Sequence, residues 1–190
     1  MLSLCARRGI LLTVAIVLSG CVIVTKPTAQ ELQTIESPPP ALSTKLEHFL
    51  PPTLAWYDSV EAQLLPIGRP LSAQEQEVAR GVGVKAPSEV RVVVLKEFPM
   101  PPDPELRVEA ERFGLGSSFE GGRTTGYAVM LKPRYATNRE VLTHELVHVG
   151  QQERMGHSAF LRRYLLEVEV LGYARSPLEL EAYAKQSYAP

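Results

Sequence analysis

Residues 137–156 read Thr137-Asn-Arg-Glu-Val-Leu-Thr-His144-Glu145-Leu-Val-His148-Val-Gly-Gln-Gln-Glu-Arg-Met-Gly156. Leu142, Leu146 and Val149 recur at helical spacing, Thr137 followed by Glu140 has the form of a capping box, and Gly156 is a stop. On a helix, positions i and i+4 share a face, so His144 and His148 can offer two imidazole nitrogens to one zinc ion (Zn2+). Glu145 sits one residue round from His144, placed to reach a water beside the ion rather than to ligate it. A chain of this length shows His-Glu-x-x-His by accident only about once in a few hundred cases, which leaves chance a poor explanation.

A catalytic zinc takes three protein ligands and leaves one position open, so a third ligand has to come from elsewhere. The metzincin pattern needs Gly at 151 and His at 154, and Gln151 and Arg154 exclude it. His157 follows the break at Gly156 and is expected to point off the zinc face. Ser176-Pro177-Leu178-Glu179-Leu180-Glu181-Ala182-Tyr183 opens a later helix with Ser176 as N-cap and Pro177 at the first position. Glu179, three residues after the cap, would close a capping box. Glu181, on another face, is therefore the expected third ligand.

These residues resemble the bacterial gluzincin-like metallopeptidase domains. The match rests on His144, Glu145, Leu146, His148, Val149 and Gln151, and downstream on Pro177, Glu179, Glu181, Ala182 and Tyr183. It covers roughly residues 123–185, and the first motif is far more specific than the second. The resemblance implies zinc on two histidines and a glutamate, with the motif glutamate as catalytic base. It implies no particular substrate.

At the other end, Arg7 and Arg8 precede the apolar run Ile10–Leu18, followed by Ser19, Gly20 and Cys21. A short apolar core after a positive region is a secretion signal, too short to span a membrane. Leu-Ser-Gly-Cys resembles a bacterial lipobox, implying cleavage after residue 20 and lipidation of Cys21. Val22, in place of an aspartate, resembles outer-membrane lipoproteins of Gram-negative cells, with the protein facing the periplasm. The only other cysteine, Cys5, leaves with the signal, so no disulfide is expected. Removing residues 1–20 takes two arginines and no acid from a chain with 20 Lys+Arg and 21 Asp+Glu, leaving a formal charge of −3. No clustered basic face points to nucleic acid, and Gly114–Gly122 lacks a phosphate-loop spacing and reads as a surface loop.

Residues 21–44, with Pro27, Pro38, Pro39 and Pro40, read as an extended tether, and residues 45–190 as one domain. Helices are expected at Leu54–Leu65, from Ser72 to Gly81 and from Asp103 to Gly114. Strands are expected at Glu89–Leu95 and Tyr127–Leu131, before the zinc helix and two more helices. That order predicts an α+β, mainly helical, zincin-like domain with a small sheet beside the zinc helix. By the same resemblance, extended peptide would bind along an edge strand, with Gly126–Leu131 the candidate, and Arg123, Tyr173 or Tyr183 would polarise the oxyanion. The expected activity is peptide-bond hydrolysis on a peptide or protein substrate, at a membrane reached through the lipid. Two other readings keep the motif: a non-catalytic envelope lipoprotein with a structural or partner-binding zinc, and a hydrolase of cell-wall peptide bonds.

Overall fold

The computed structural model describes residues 25–190; the signal segment and Cys21 lie outside them. The fold is α+β. Helices α1 (Ala29–Glu36) and α2 (Pro40–Leu64) lead to strand β1 (Arg69–Pro70), α3 (Ala73–Val82), β2 (Arg91–Val94) and α4 (Pro104–Arg112). The hairpin β3 (Gly122–Thr125) and β4 (Ala128–Leu131) precedes α5 (Arg139–Met155), α6 (His157–Leu171) and α7 (Pro177–Lys185). No helix among the described residues is long and apolar enough to cross a membrane.

The sheet order is β1-β2-β4-β3, with β4 parallel to β2 and antiparallel to β3. All four residues of β4 are fully buried. Val129 and Leu131 join Val92 in a core shared with Leu142, Leu146 and Val149 of α5. Ala128 and Met130 join Val93 in a second core with Trp56, Val60 and Leu64 of α2. Alternate residues thus serve opposite faces, and a strand covered on both sides reads as an unbroken apolar run. This run seats α5, the helix that carries the histidines.

The strand expected as the peptide-binding edge, Gly126–Leu131, is interior, paired on one side with β2 and on the other with β3. The edge strand beside β4 is β3, whose Gly-Arg-Thr-Thr sequence carries no apolar signal and which forms by pairing with β4. Its turn is held from α2: Glu61 Oε1 accepts the Tyr127 N–H at 2.7 Å. Gly126, at φ +57°, has no Cβ to collide with that carboxylate, which it would meet at 2.0 Å.

Among the described residues of the expected extended tether, 29–36 and 40–44 are helical. Thr28 and Glu31 form a reciprocal capping box at the start of α1, and Ile35 is buried with Leu46, Leu166 and Leu171. Continuing α2 through Pro51 and Pro52 costs roughly 3 kcal/mol for each interior proline. The buried side chains of Leu46, Trp56, Val60 and Leu64 offset this at about 1.5–3 kcal/mol each. The folded body therefore begins near Thr28 rather than Lys45, because apolar partners on α6 are waiting for this segment.

Arg175 grips α1 through both oxygens of Glu31, at 2.8 and 2.7 Å. That hydrogen bonding, with the Thr28 backbone N–H and hydroxyl, lowers the Glu31 carboxyl from 4.5 to about 2. A depressed carboxyl stabilises the fold above its unfolded value and loses that contribution as pH falls through the folded one. Amide-exchange protection of α1 is accordingly expected to collapse between pH 4.5 and about 2 while that of α5 persists. Simultaneous loss in both helices would show that the Glu31–Arg175 pair does not govern docking.

Candidate metal centre

The helix that carries the histidines is capped one residue later than its sequence suggests: Asn138, not Thr137, accepts the Val141 N–H, at 3.0 Å. Its stop at Gly156 is as expected. From Leu142 to Gln152 every residue of α5 is buried, so the polar side chains there must find partners inside the protein.

His144 Nε2 and His148 Nε2 face each other at 3.2 Å. The carboxylate that joins them belongs to Glu179, with Oε2 at 3.2 Å from His144 and Oε1 at 3.5 Å from His148. Ligand bonds of about 2.0–2.1 Å in a tetrahedron imply ligand–ligand edges near 3.3–3.4 Å. The three side chains thus form a candidate metal site, with ligand atoms mutually within 4.8 Å. Glu145 is buried beside them without joining the set.

The expected third ligand, Glu181, is engaged elsewhere. It pairs with Arg154 at 2.9 Å and Lys185 at 2.8 Å and accepts from Gln151 Nε2 at 3.0 Å. Burial disfavours its charge, yet Arg154 and Lys185 hold its carboxyl down at about 2. The capping box that would have occupied Glu179 is only half formed. Ser176 accepts the Glu179 N–H at 3.4 Å, but the Glu179 carboxylate turns to the histidines instead of back to the cap. Glu167 of α6 serves the helix start in its place, accepting the Ser176 hydroxyl at 2.7 Å and the Leu178 N–H at 3.0 Å. Glu179 shares the inward face of α7 with Leu178 and Ala182. The i,i+4 pairing of Glu181 with Lys185 was already visible in the sequence and marks the outward face.

Two side chains that sequence reasoning did not place orient the ligands. Gln151 Oε1 lies 2.8 Å from His148 Nδ1, while its Nε2 donates to Leu178 O at 2.9 Å. The amide orientation is therefore fixed, and it sets the proton on Nδ1 of a neutral His148 so that Nε2 presents its lone pair. Tyr164 donates its hydroxyl to Glu179 Oε1 at 2.8 Å. Gln151, at i+3 from His148, had a readable position; nothing local in the sequence singles out Tyr164.

The electrostatics favour a cation at this point. Burial opposes charge on His148, but the Glu179 carboxylate outweighs it and pushes the imidazole up to about 9. Burial likewise opposes ionisation of Glu179, and the two histidines overcome it, holding the carboxyl far below its usual range. Glu145 differs: burial dominates the attraction of His148 and His144 and raises its carboxyl. The Thr124 hydroxyl, from β3, donates to Glu145 Oε2 at 2.7 Å. Gly122, in the same strand, leaves room for Glu145, since a Cβ there would stand 2.5 Å from its Oε1.

Of the three candidate oxyanion groups, Arg123 is spent on structure, bonded to Glu120 and Pro99 O at 2.6 Å each and lying over the rings of Phe98 and Trp56. Tyr173 and Tyr183 stand half exposed beside the centre, the Tyr183 ring 4.7 Å from that of His144. Burial and the Glu179 charge keep the Tyr173 phenol protonated. His157 pairs with Asp58 at 3.1 Å, away from this set as its position after Gly156 suggested. No family model, no curated protein and no solved structure matches the chain. The chemistry of the centre follows from its own residues.

Proposed function

We propose that the chain is a zinc-dependent metallopeptidase held at a bacterial envelope by a lipid on Cys21. The observation that carries this reading is the convergence of His144, His148 and Glu179 at 3.2–3.5 Å beside a buried Glu145. Those three side chains would hold the ion, with Tyr164 and Gln151 fixing their orientation. Zinc, when bound, supplies a Lewis acid that polarises a carbonyl and acidifies water.

Glu145, its carboxyl raised by burial, takes the proton of the attacking water and returns it to the leaving amine. Thr124 keeps its carboxylate aimed by donating to one oxygen. Tyr173 and Tyr183, half-exposed phenols beside the centre, are the side chains that would donate to the developing oxyanion. An extended peptide would add to the outer strand β3, the strand that also carries Thr124.

Metal analysis of the purified protein together with turnover on casein and on peptidoglycan peptides tests the reading. One zinc per chain with casein cleavage supports it. Zinc without turnover on either substrate makes the centre a binding element, and turnover confined to peptidoglycan moves the chemistry to the cell wall. The anchor is tested separately: Cys21→Ser is expected to release the protein from the membrane fraction with its thermal stability unchanged. A variant that stays bound through salt and carbonate washing removes the lipid from the proposal.

A further inference from the structure

Arg175 ties the start of the described chain to the metal centre. Its Nε donates to Thr25 O at 3.1 Å, and its other two nitrogens hold Glu31. The 3-10 turn that it closes, Tyr173–Arg175, leads directly into the Ser176 cap of α7, the helix that carries Glu179. Tyr173 of that turn meets the Tyr183 ring edge-on at 6.4 Å, and Tyr183 in turn lies 4.7 Å from His144. Thr25 and the mouth of the centre thus share one side of the body.

Chain length turns this neighbourhood into an orientation. Thr25 follows Cys21 by four residues, so their Cα atoms can stand at most about 14 Å apart. A body of this size has a radius of gyration of about 15 Å and is roughly 40 Å across. A lipid on Cys21 keeps that residue at the bilayer surface, and a tether so much shorter than the body cannot let it turn over. The Thr25 side must face the lipid. Its surface suits that position: Leu32 of α1, Tyr173 and Tyr183 are exposed, and tyrosine rings, apolar with one polar tip, favour the head-group level. The far end is equally defined. Helix α2 starts just after α1 and runs 25 residues, about 37 Å, so the exposed Ile67 beyond its C-terminus stands well away from the lipid.

We propose that this short tether holds the mouth of the metal centre against the bilayer, and that the substrates are membrane-held proteins cut in extended segments close to their anchors. The inference rests on the metallopeptidase reading and on the lipid at Cys21. With Cys21 capped by lipid and Cys5 gone with the signal, a cysteine introduced at Ala174, exposed in the turn, or at Ile67 is the one free thiol. Each lipidated variant carries a bimane label and is placed in phosphatidylethanolamine–phosphatidylglycerol vesicles whose lipid includes a head-group nitroxide. The label at position 174 is expected to lose most of its emission and the label at 67 to keep most of its own. A Gly/Ser insertion of about 20 residues after Ile23, reaching roughly 25 Å, is expected to bring the two labels to equal quenching.

Equal quenching without the insertion overturns the orientation, and a difference that survives the insertion rejects the tether as its cause. Neither readout needs zinc or turnover. The substrate class is read on a casein-derived peptide, offered free or coupled to a phosphatidylethanolamine head group in the same vesicles. The insertion is expected to slow cleavage of the coupled peptide several-fold, by diluting the mouth at the surface, and to leave the free peptide unchanged. Coupled cleavage indifferent to the insertion rejects the substrate class. No cleavage of either form removes the metallopeptidase reading and the substrate class with it, while the labels still decide the orientation.

Discussion

Glu145→Gln is expected to keep zinc and lose catalysis. The amide is nearly isosteric and its oxygen can still accept the Thr124 hydroxyl that now bonds Glu145 Oε2 at 2.7 Å, so the local packing survives. What disappears is a group able to take a proton. Peptidase activity is therefore expected to fall by at least the roughly 10²- to 10⁴-fold that general acid–base catalysis contributes. Burial raises the Glu145 carboxyl by penalising its charged form, the form a general base uses. Replacing it with a neutral amide should hold or raise the melting temperature. Zinc content, melting temperature and kcat/KM measured on one preparation decide the matter: retained activity with zinc in place removes Glu145 from the chemistry.

His144→Ala, His148→Ala and Glu179→Gln are each expected to abolish zinc retention, since each removes one of three converging ligands. Tyr164→Phe and Gln151→Ala touch only the groups that orient those ligands, and are expected to weaken zinc about 10- to 100-fold. Glu181→Gln is the contrast. It breaks partly exposed pairs with Arg154 and Lys185, costing about 0–1 kcal/mol of stability, and leaves zinc bound. Dialysis against a mild chelator followed by metal analysis separates the cases. Zinc lost from Glu181→Gln and kept by Glu179→Gln would return the ligand role to Glu181.

The parts of the molecule legible in the sequence are those written in local terms. The His144–His148 pair follows from helical period alone, and the apolar run of β4 announces a buried strand next to the helix that carries it. The start of α3 at Ser72 is a complete capping box in both sequence and structure. Even the stop of α5 at Gly156 is a one-residue signal. Each of these is fixed by residues within a turn or two of one another, where backbone geometry leaves few alternatives.

Which glutamate completes the site was decided at longer range. Glu179 and Glu181 look alike in the sequence, and the local rule assigns Glu179 to its own helix cap. Glu167, on another helix, serves that cap and frees Glu179, while Arg154 and Lys185 draw Glu181 outward. The strand β3 has no apolar pattern and exists because β4 offers it a partner. The helices over residues 29–36 and 40–44 likewise depend on apolar surface that α6 presents. The sequence by itself determined the α+β class, the facing histidine pair and the neighbouring acid. Tertiary structure alone chose Glu179, Tyr164 and β3, because a buried polar group goes to whichever partner packing brings within hydrogen-bonding distance, and that partner is set by elements far away in the chain.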